Sequence, residues 1–240
     1  MPNVKKMLII LFISVLCFSF AACGSSPAAQ PSSAPVSEET LIPAALSTIK
    51  PAATPEPDPS PTADLVVIDG SAITVRDDGS GSDSNQDGMS KRIILTNRSI
   101  NYEGTTGDFA YVIEGIQIAA LTVTDEDTAS FLNVEKGKEI TVIAIQMSVE
   151  NTSDKDLSFY PYMSTIVTSD KEQVESNWLL SDSVGGDFLG NVVMEGQIYW
   201  ICERTGADNL THIQWRIDAP SDSNYDRCGD PVKIDFEFAK

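Results

Sequence analysis

The chain has 240 residues, 42% of them hydrophobic and 8% aromatic, which is enough apolar material for at least one buried core and excludes a chain disordered throughout. Its 35 acidic residues stand against 16 basic ones, a formal net charge of −19, and that balance argues against a nucleic-acid backbone as partner, which requires clustered Lys and Arg. The acidity is compatible with a cationic ligand or a basic partner, and its plainest consequence is solubility in a crowded exterior.

The first residues read as an export signal. Lys5 and Lys6 precede an apolar run of 14 residues, Met7 to Phe20, which is followed by Ala21, Ala22 and Cys23. A bilayer core takes about 20 apolar residues, and no later segment reaches that length, so no membrane-spanning helix is predicted. The segment Phe20-Ala21-Ala22-Cys23-Gly24-Ser25-Ser26 resembles a bacterial lipobox, with Phe20 where Leu is usual. The resemblance implies a signal peptide over residues 1–22, acylation of the Cys23 thiol, and a protein held on the membrane facing away from the cytoplasm. Several acyl chains make such attachment stable where one would be marginal. The alternative is a plain secretory signal that leaves Cys23 as an exposed thiol.

Residues 23–64 contain nine of the 13 prolines among Ala, Ser and Thr. Such a segment cannot bury enough apolar surface to offset its ordering entropy, and it is expected to be a disordered stalk with no binding role of its own. At about 3 Å per residue it reaches on the order of 100 Å when extended.

Residues 65–106 read as a short β-rich or loop extension. Leu65 to Ile68 and Ile73 to Val75 flank the turn dipeptide Asp69-Gly70, and Asp77 to Ser90 has no apolar run. Within it, Asp83-Ser84-Asn85-Gln86-Asp87-Gly88 matches the opening of a calcium loop, where the oxygens of Asp83, Asn85 and Asp87 would converge and Gly88 would permit the sharp turn. The twelfth position is Ile94 where a bidentate Glu is needed, and the same residues are ordinary loop composition. Calcium is the one cofactor that the sequence brings to mind; otherwise none is expected.

From residue 107 the pattern is that of strands. The candidates are Phe109 to Ile113, Ile116 to Thr124, Ile140 to Glu150, Leu157 to Thr168, Val192 to Met194, Gln197 to Glu203, His212 to Ile217 and Val232 to Phe238. Val232, Ile234, Phe236 and Phe238 alternate with Lys233, Asp235 and Glu237, the mark of a strand with one buried face. No sustained helical stripe occurs, and turn signals such as Gly185-Gly186 and Glu195-Gly196 separate the strands. An all-β antiparallel sandwich over residues 107–240 is predicted.

Gly107 to Ile118, Ile140 to Lys155 and Val192 to Trp200 together resemble the immunoglobulin-like domain of surface lipoproteins in Gram-positive bacteria, a family related to a mycobacterial immunoprotective secreted antigen. The resemblance implies a fold and a location. It supplies no catalytic residues.

Cys17 leaves with the signal and Cys23 is acylated, so Cys202 and Cys228 remain. On an exported protein that pair predicts a disulfide; a metal pair or two free thiols are the alternatives. His212, the one histidine, falls on the polar face of its strand, and no hydrolase, phosphate-loop or dinucleotide motif is present. An enzyme is not expected. Trp200 and Trp215 read as core residues, whereas Trp178, in the loop-like stretch Glu172 to Asn191, reads as an exposed contact. The leading expectation is a lipid-anchored interaction module for a surface protein or wall component. The second is a ligand- or ion-binding accessory lipoprotein of a transporter or sensor.

Overall fold

The computed structural model describes residues 66–69, 72–86 and 88–239. The signal, Cys23, the stalk and Asp87 lie outside the described residues.

Strands β1 (Val66–Asp69), β2 (Ala72–Arg76), β15 (Val232–Ala239), β13 (His212–Ile217), β9 (Thr165–Thr168) and β10 (Gln173–Glu175) form one sheet in that order. The second sheet runs β12 (Val193–Cys202), β7 (Glu139–Asn151), β6 (Phe109–Val123), β4 (Met89–Asn97) and β3 (Ser84–Gln86), with β5 (Tyr102–Thr106) on the first part of β6. A small third sheet joins β11 (Gly186–Phe188), β8 (Leu157–Phe159) and β14 (Ser221–Asp222). All these pairs are antiparallel except β15 with β2. The all-β expectation holds. Residues 66–106 supply five strands, of which β2 pairs with β15 in one large sheet and β4 and β5 pair with β6 in the other.

The core lies between the two large sheets. Ile213, Trp215 and Ile217 of β13 and Val232, Ile234, Phe236 and Phe238 of β15 are buried as their alternation predicts. They face Ile116 and Ile118 of β6, Ile143 and Ile145 of β7, and Ile198 and Trp200 of β12 within one apolar cluster. The central strands β6 and β7 are buried on both faces, which explains their near-continuous apolar runs. Their outer face, with Leu121, Val123, Ile140 and Val142, packs under helix α1 (Glu126–Leu132) through Ala129 and Leu132.

Four differences from the sequence reading have local causes. β6 is one strand, and a β-bulge between Ile113 and Gly115 absorbs what reads as a break. β12 likewise runs through Glu195-Gly196, a pair that reads as a turn. Leu157 to Thr168 divides into β8 and β9 because Pro161 opens a single 3-10 turn over Pro161–Met163. The helix was not predicted. Asp125 caps it by accepting from the Thr128 amide at 2.8 Å, and Asn133 ends it in the left-handed conformation, but seven residues are too few for a visible stripe.

Cys202 and Cys228 do not form the predicted disulfide; both are free thiols. Cys202 pairs with Thr141 on β7, and Thr141 pairs with Ala120 on β6. The Cys228 carbonyl instead lies against Gly107, where any Cβ would clash and φ is +56°. From Phe109 to Ala120 β6 runs twelve residues, eleven rises of a strand, or roughly 35 Å. A bridge needs Cα atoms about 4.4–6.8 Å apart. The two cysteines belong to opposite ends of the sandwich.

Candidate functional site

An exposed tryptophan stands beside the end of α1, presented by a turn that is fastened to the edge of β12. The Asn177 amide donates to the Tyr199 carbonyl at 2.7 Å, and the Asn177 carbonyl accepts from the Ser181 amide at 2.9 Å. Its side-chain oxygen accepts from the amides of Leu179 at 3.1 Å and Leu180 at 3.2 Å. The next residues run along the β12 edge: the Asp182 amide donates to the Gln197 carbonyl at 2.8 Å, and the Asp182 carboxylate accepts from the Gln197 amide at 2.8 Å. This loop covers that part of a sheet edge that would otherwise be open to pairing. Leu180 packs against the outer apolar cluster, while Trp178 is 72% exposed and Leu179 42% exposed.

Trp178 and Leu179 form one wall of an open groove of about 370 Å³; Phe131 and Val134 from the end of α1, together with Ile201 of β12, line the rest. Glu175 and Glu203 stand on its rim, and Glu203 is paired with Lys138 at 3.5 Å. A large aromatic held in water beside further apolar groups gains from any partner that covers it, and the rim supplies hydrogen-bonding groups that fix orientation. The sequence flags Trp178 but not Phe131, on a helix that carries no periodic signal, or Val134, which follows that helix's C-cap Asn133.

The carboxylate of Glu172 is the most thoroughly engaged polar group near this end. It accepts from the amides of Glu203 at 3.0 Å, Arg204 at 3.2 Å and Thr205 at 2.7 Å, and from the Thr205 hydroxyl at 2.8 Å. Burial pushes this carboxyl up, but the hydrogen bonds from Thr205, Arg204 and Glu203 outweigh it and hold Glu172 below its ordinary value. Glu172 thereby ties the turn after β12 to the loop after β9. Burial, and after it the Glu172 charge, pushes the Cys202 thiol up to about 12, which leaves it unreactive.

The other predicted residues lie apart from the groove. Asp83 accepts from the Ile93 amide at 2.7 Å, and Asn85 accepts from the Ser90 hydroxyl at 2.6 Å, both within the β3–β4 hairpin. Two oxygens that the calcium motif would aim at a cation are thus turned to donors of their own hairpin. Among the described residues no three His, Cys, Asp or Glu side chains are grouped as a metal site. His212 is exposed on β13 opposite Glu237. Among the described residues no helix is long and apolar enough to cross a membrane.

No family model matches the chain. It is 25% identical over 154 residues to the SPbeta prophage-derived uncharacterized lipoprotein YonS of Bacillus subtilis strain 168, an alignment that covers 58% of this chain and 75% of that protein. A functionally unknown protein from Listeria monocytogenes EGD-e superposes with a TM-score of 0.49 at 17% identity, over 62% of this chain and 88% of the other. The candidate lipoprotein ycdA of Bacillus subtilis gives a TM-score of 0.38 at 13% identity, over 56% of this chain and 38% of the other. The chain is therefore similar to an uncharacterised bacterial lipoprotein.

Proposed function

We propose that this chain is an exported lipoprotein, acylated at Cys23, which holds an immunoglobulin-like β-sandwich outside the membrane as a non-enzymatic binding module. The lipobox-like segment and the similarity to YonS support the anchor. The residue pattern around Gly107, Ile140 to Lys155 and Val192 to Trp200 supports assignment to the immunoglobulin-like domains of Gram-positive surface lipoproteins, relatives of the mycobacterial antigen family.

The observation that carries the binding role is the position of Trp178 and Leu179, fixed by a hydrogen-bonded turn yet left in water over an apolar groove. Two acids with lowered carboxyls serve the fold itself. Glu172 fastens two loops, and Asp125 caps a helix. The partner is a surface protein or wall component. A photo-crosslinking residue placed at position 179, on the groove wall beside an intact Trp178, should in intact cells capture one dominant species that the same residue at exposed Arg216 does not. Equal capture at both positions, or none at either, would sink the groove as the binding surface.

A second reading, a ligand-binding accessory lipoprotein, has one observation in its favour. A cleft of about 440 Å³ opens where β4 faces β15, lined by Ile94, Leu95, Ile118, Leu210 and Phe238, with Arg92 and Asp208 at its mouth. Arg92 grips Asp208 with two hydrogen bonds of 2.9 and 2.7 Å. That volume suits a small molecule. A rise in melting temperature with an apolar ligand would support this reading.

A further inference from the structure

We infer that the basin on the small third sheet docks a basic, apolar-bearing segment of a partner protein, independently of the Trp178 groove. The basin, of about 310 Å³, is lined by Asp156, Tyr160, Asp187, Leu189, Asp222 and Tyr225 among others, and no Lys or Arg is among its lining residues. Leu189 is 75% exposed and Tyr225 90% exposed, so its apolar side is open to water.

The fold builds this surface in a fixed form. β8 leads into Tyr160, β11 carries Asp187 and leads into Leu189, and β14 opens the turn that presents Tyr225. The Tyr225 backbone is in the left-handed region, with φ at +65°. Its amide donates to the Asp222 carbonyl at 3.0 Å. Asp222 in turn accepts from the amides of Asn224 at 2.8 Å and Asp226 at 3.0 Å. Asp187 accepts from the Ser158 hydroxyl at 2.7 Å and the Tyr160 hydroxyl at 2.6 Å. These bonds hold the carboxyls of Asp187 and Asp222 below their ordinary values, so both stay anionic in mildly acidic surroundings.

Charge complementarity names the occupant. Carboxylates beside exposed tyrosine rings and a leucine suit the two halves of a Lys or Arg side chain: the aliphatic stem lies on Leu189 and the rings, and the cationic head meets the acids. The volume accommodates one or two such side chains. An apolar neighbour in the same segment covers what remains of the hydrophobic surface, which a small inorganic cation would leave wet. The basin also lies far from the first groove. It adjoins the Asn151 end of β7, where the Asn151 side chain donates to the Gly190 carbonyl at 2.9 Å, whereas Ile201 of the groove pairs with Val142 at the other end. Val142 and Asn151 are nine strand rises apart, roughly 30 Å.

The test is calorimetric titration of the full mature protein in detergent with a synthetic peptide of alternating Lys and Leu, against its Glu-for-Lys counterpart. Saturable binding of the basic peptide alone is expected. Asp156→Asn with Asp222→Asn, and separately Tyr225→Ala, should weaken it about ten-fold, the scale of a lost charge-assisted contact. Glu103→Gln with Glu237→Gln removes the same charge from exposed strand positions and should leave affinity within about two-fold, as should Trp178→Ala. Thermal melts confirm that each variant is folded. Absence of saturable binding overturns the proposal. So does equal weakening by the two charge-matched pairs, which would mean diffuse attraction to an acidic surface. Full displacement by calcium or free lysine at matching concentration overturns it too, in favour of a small-cation site.

Discussion

Trp200 and Trp215 meet edge to face across the sandwich, one from each large sheet, with ring centroids 5.5 Å apart and planes at 79°. Both indole N–H groups turn to the same residue. Trp215 donates to the Ser164 hydroxyl at 2.7 Å, and Trp200 donates to the Ser164 carbonyl at 3.4 Å. Ser164 lies between the 3-10 turn and β9, so one buried serine satisfies the largest pair in the core. Ser164→Ala leaves the Trp215 N–H without its partner while the backbone carbonyl remains. The expected loss is about 1–3 kcal/mol in denaturant unfolding. A midpoint unchanged from that of the parent protein would show that the hydroxyl is dispensable.

Glu172 predicts how the protein responds to acid. Its folded-state carboxyl is held below the unfolded value, so the contribution is full above the ordinary glutamate range, near 4.5, and is lost as pH falls through the folded value. Glu172→Gln should therefore destabilise at pH 7, and the gap from the parent should narrow as pH falls below about 4. Urea midpoints of both proteins from pH 7 downward measure this. A gap that stays constant would mean that shape, not charge, is what Glu172 contributes.

The register of the central sheet makes a claim about thiols. The mature lipidated protein should yield two reactive thiols in denaturant without reductant, since Cys202 and Cys228 stand at opposite ends of β6. In the native state Cys202 should be silent, being fully buried with its thiol pushed up to about 12. Cys228 should react slowly, because burial first, and then Asp108 and Asp222, raise its thiol as well. Failure to titrate any thiol in denaturant would restore the bridge.

The strands that face the core on one side were legible because burial and alternation are the same fact. β13 and β15 keep the boundaries read from His212 to Ile217 and from Val232 to Phe238, give or take one residue. What local pattern cannot carry is pairing at long range. The parallel contact of β15 with β2 joins residues about as far apart as the described chain allows. Glu172 has partners 31 to 33 positions away and no signal of its own. The gap between the strand candidates ending at Ile113 and starting at Ile116 is, in β6, a bulge within one long strand. The candidate groove shows the same limit. Trp178 stood out through its loop setting, but Phe131 and Ile201 join it only in three dimensions.

Cys23 separates the anchor from the fold. Cys23→Ser should move the protein from the membrane fraction to the medium or to an unprocessed precursor, with the melting temperature of the sandwich unchanged. Mass spectrometry of the mature N-terminus should find acyl groups on Cys23 in the parent protein. A soluble, unmodified Cys23 in the parent would leave only an ordinary secretory signal.

Trp178 should separate binding from stability in the same way. A buried tryptophan costs about 3–5 kcal/mol when truncated to alanine, because its area and its cavity are both lost. Trp178 is mostly in water and belongs to neither buried cluster, so Trp178→Ala should alter unfolding by no more than about 0.5 kcal/mol. The turn beneath it is built from backbone and Asn177 bonds that the substitution leaves in place. Surface capture at the groove should nonetheless fall, since truncating a central aromatic contact typically costs about 2 kcal/mol or more of binding. Asn177→Ala should do the reverse: it removes the side-chain acceptor for Leu179 and Leu180, loosens the turn, and lowers stability together with capture. Comparing the two variants by denaturation and by crosslinking distinguishes a contact residue from a scaffold residue. Loss of stability in Trp178→Ala, equal to that in Asn177→Ala, would assign the tryptophan to the fold.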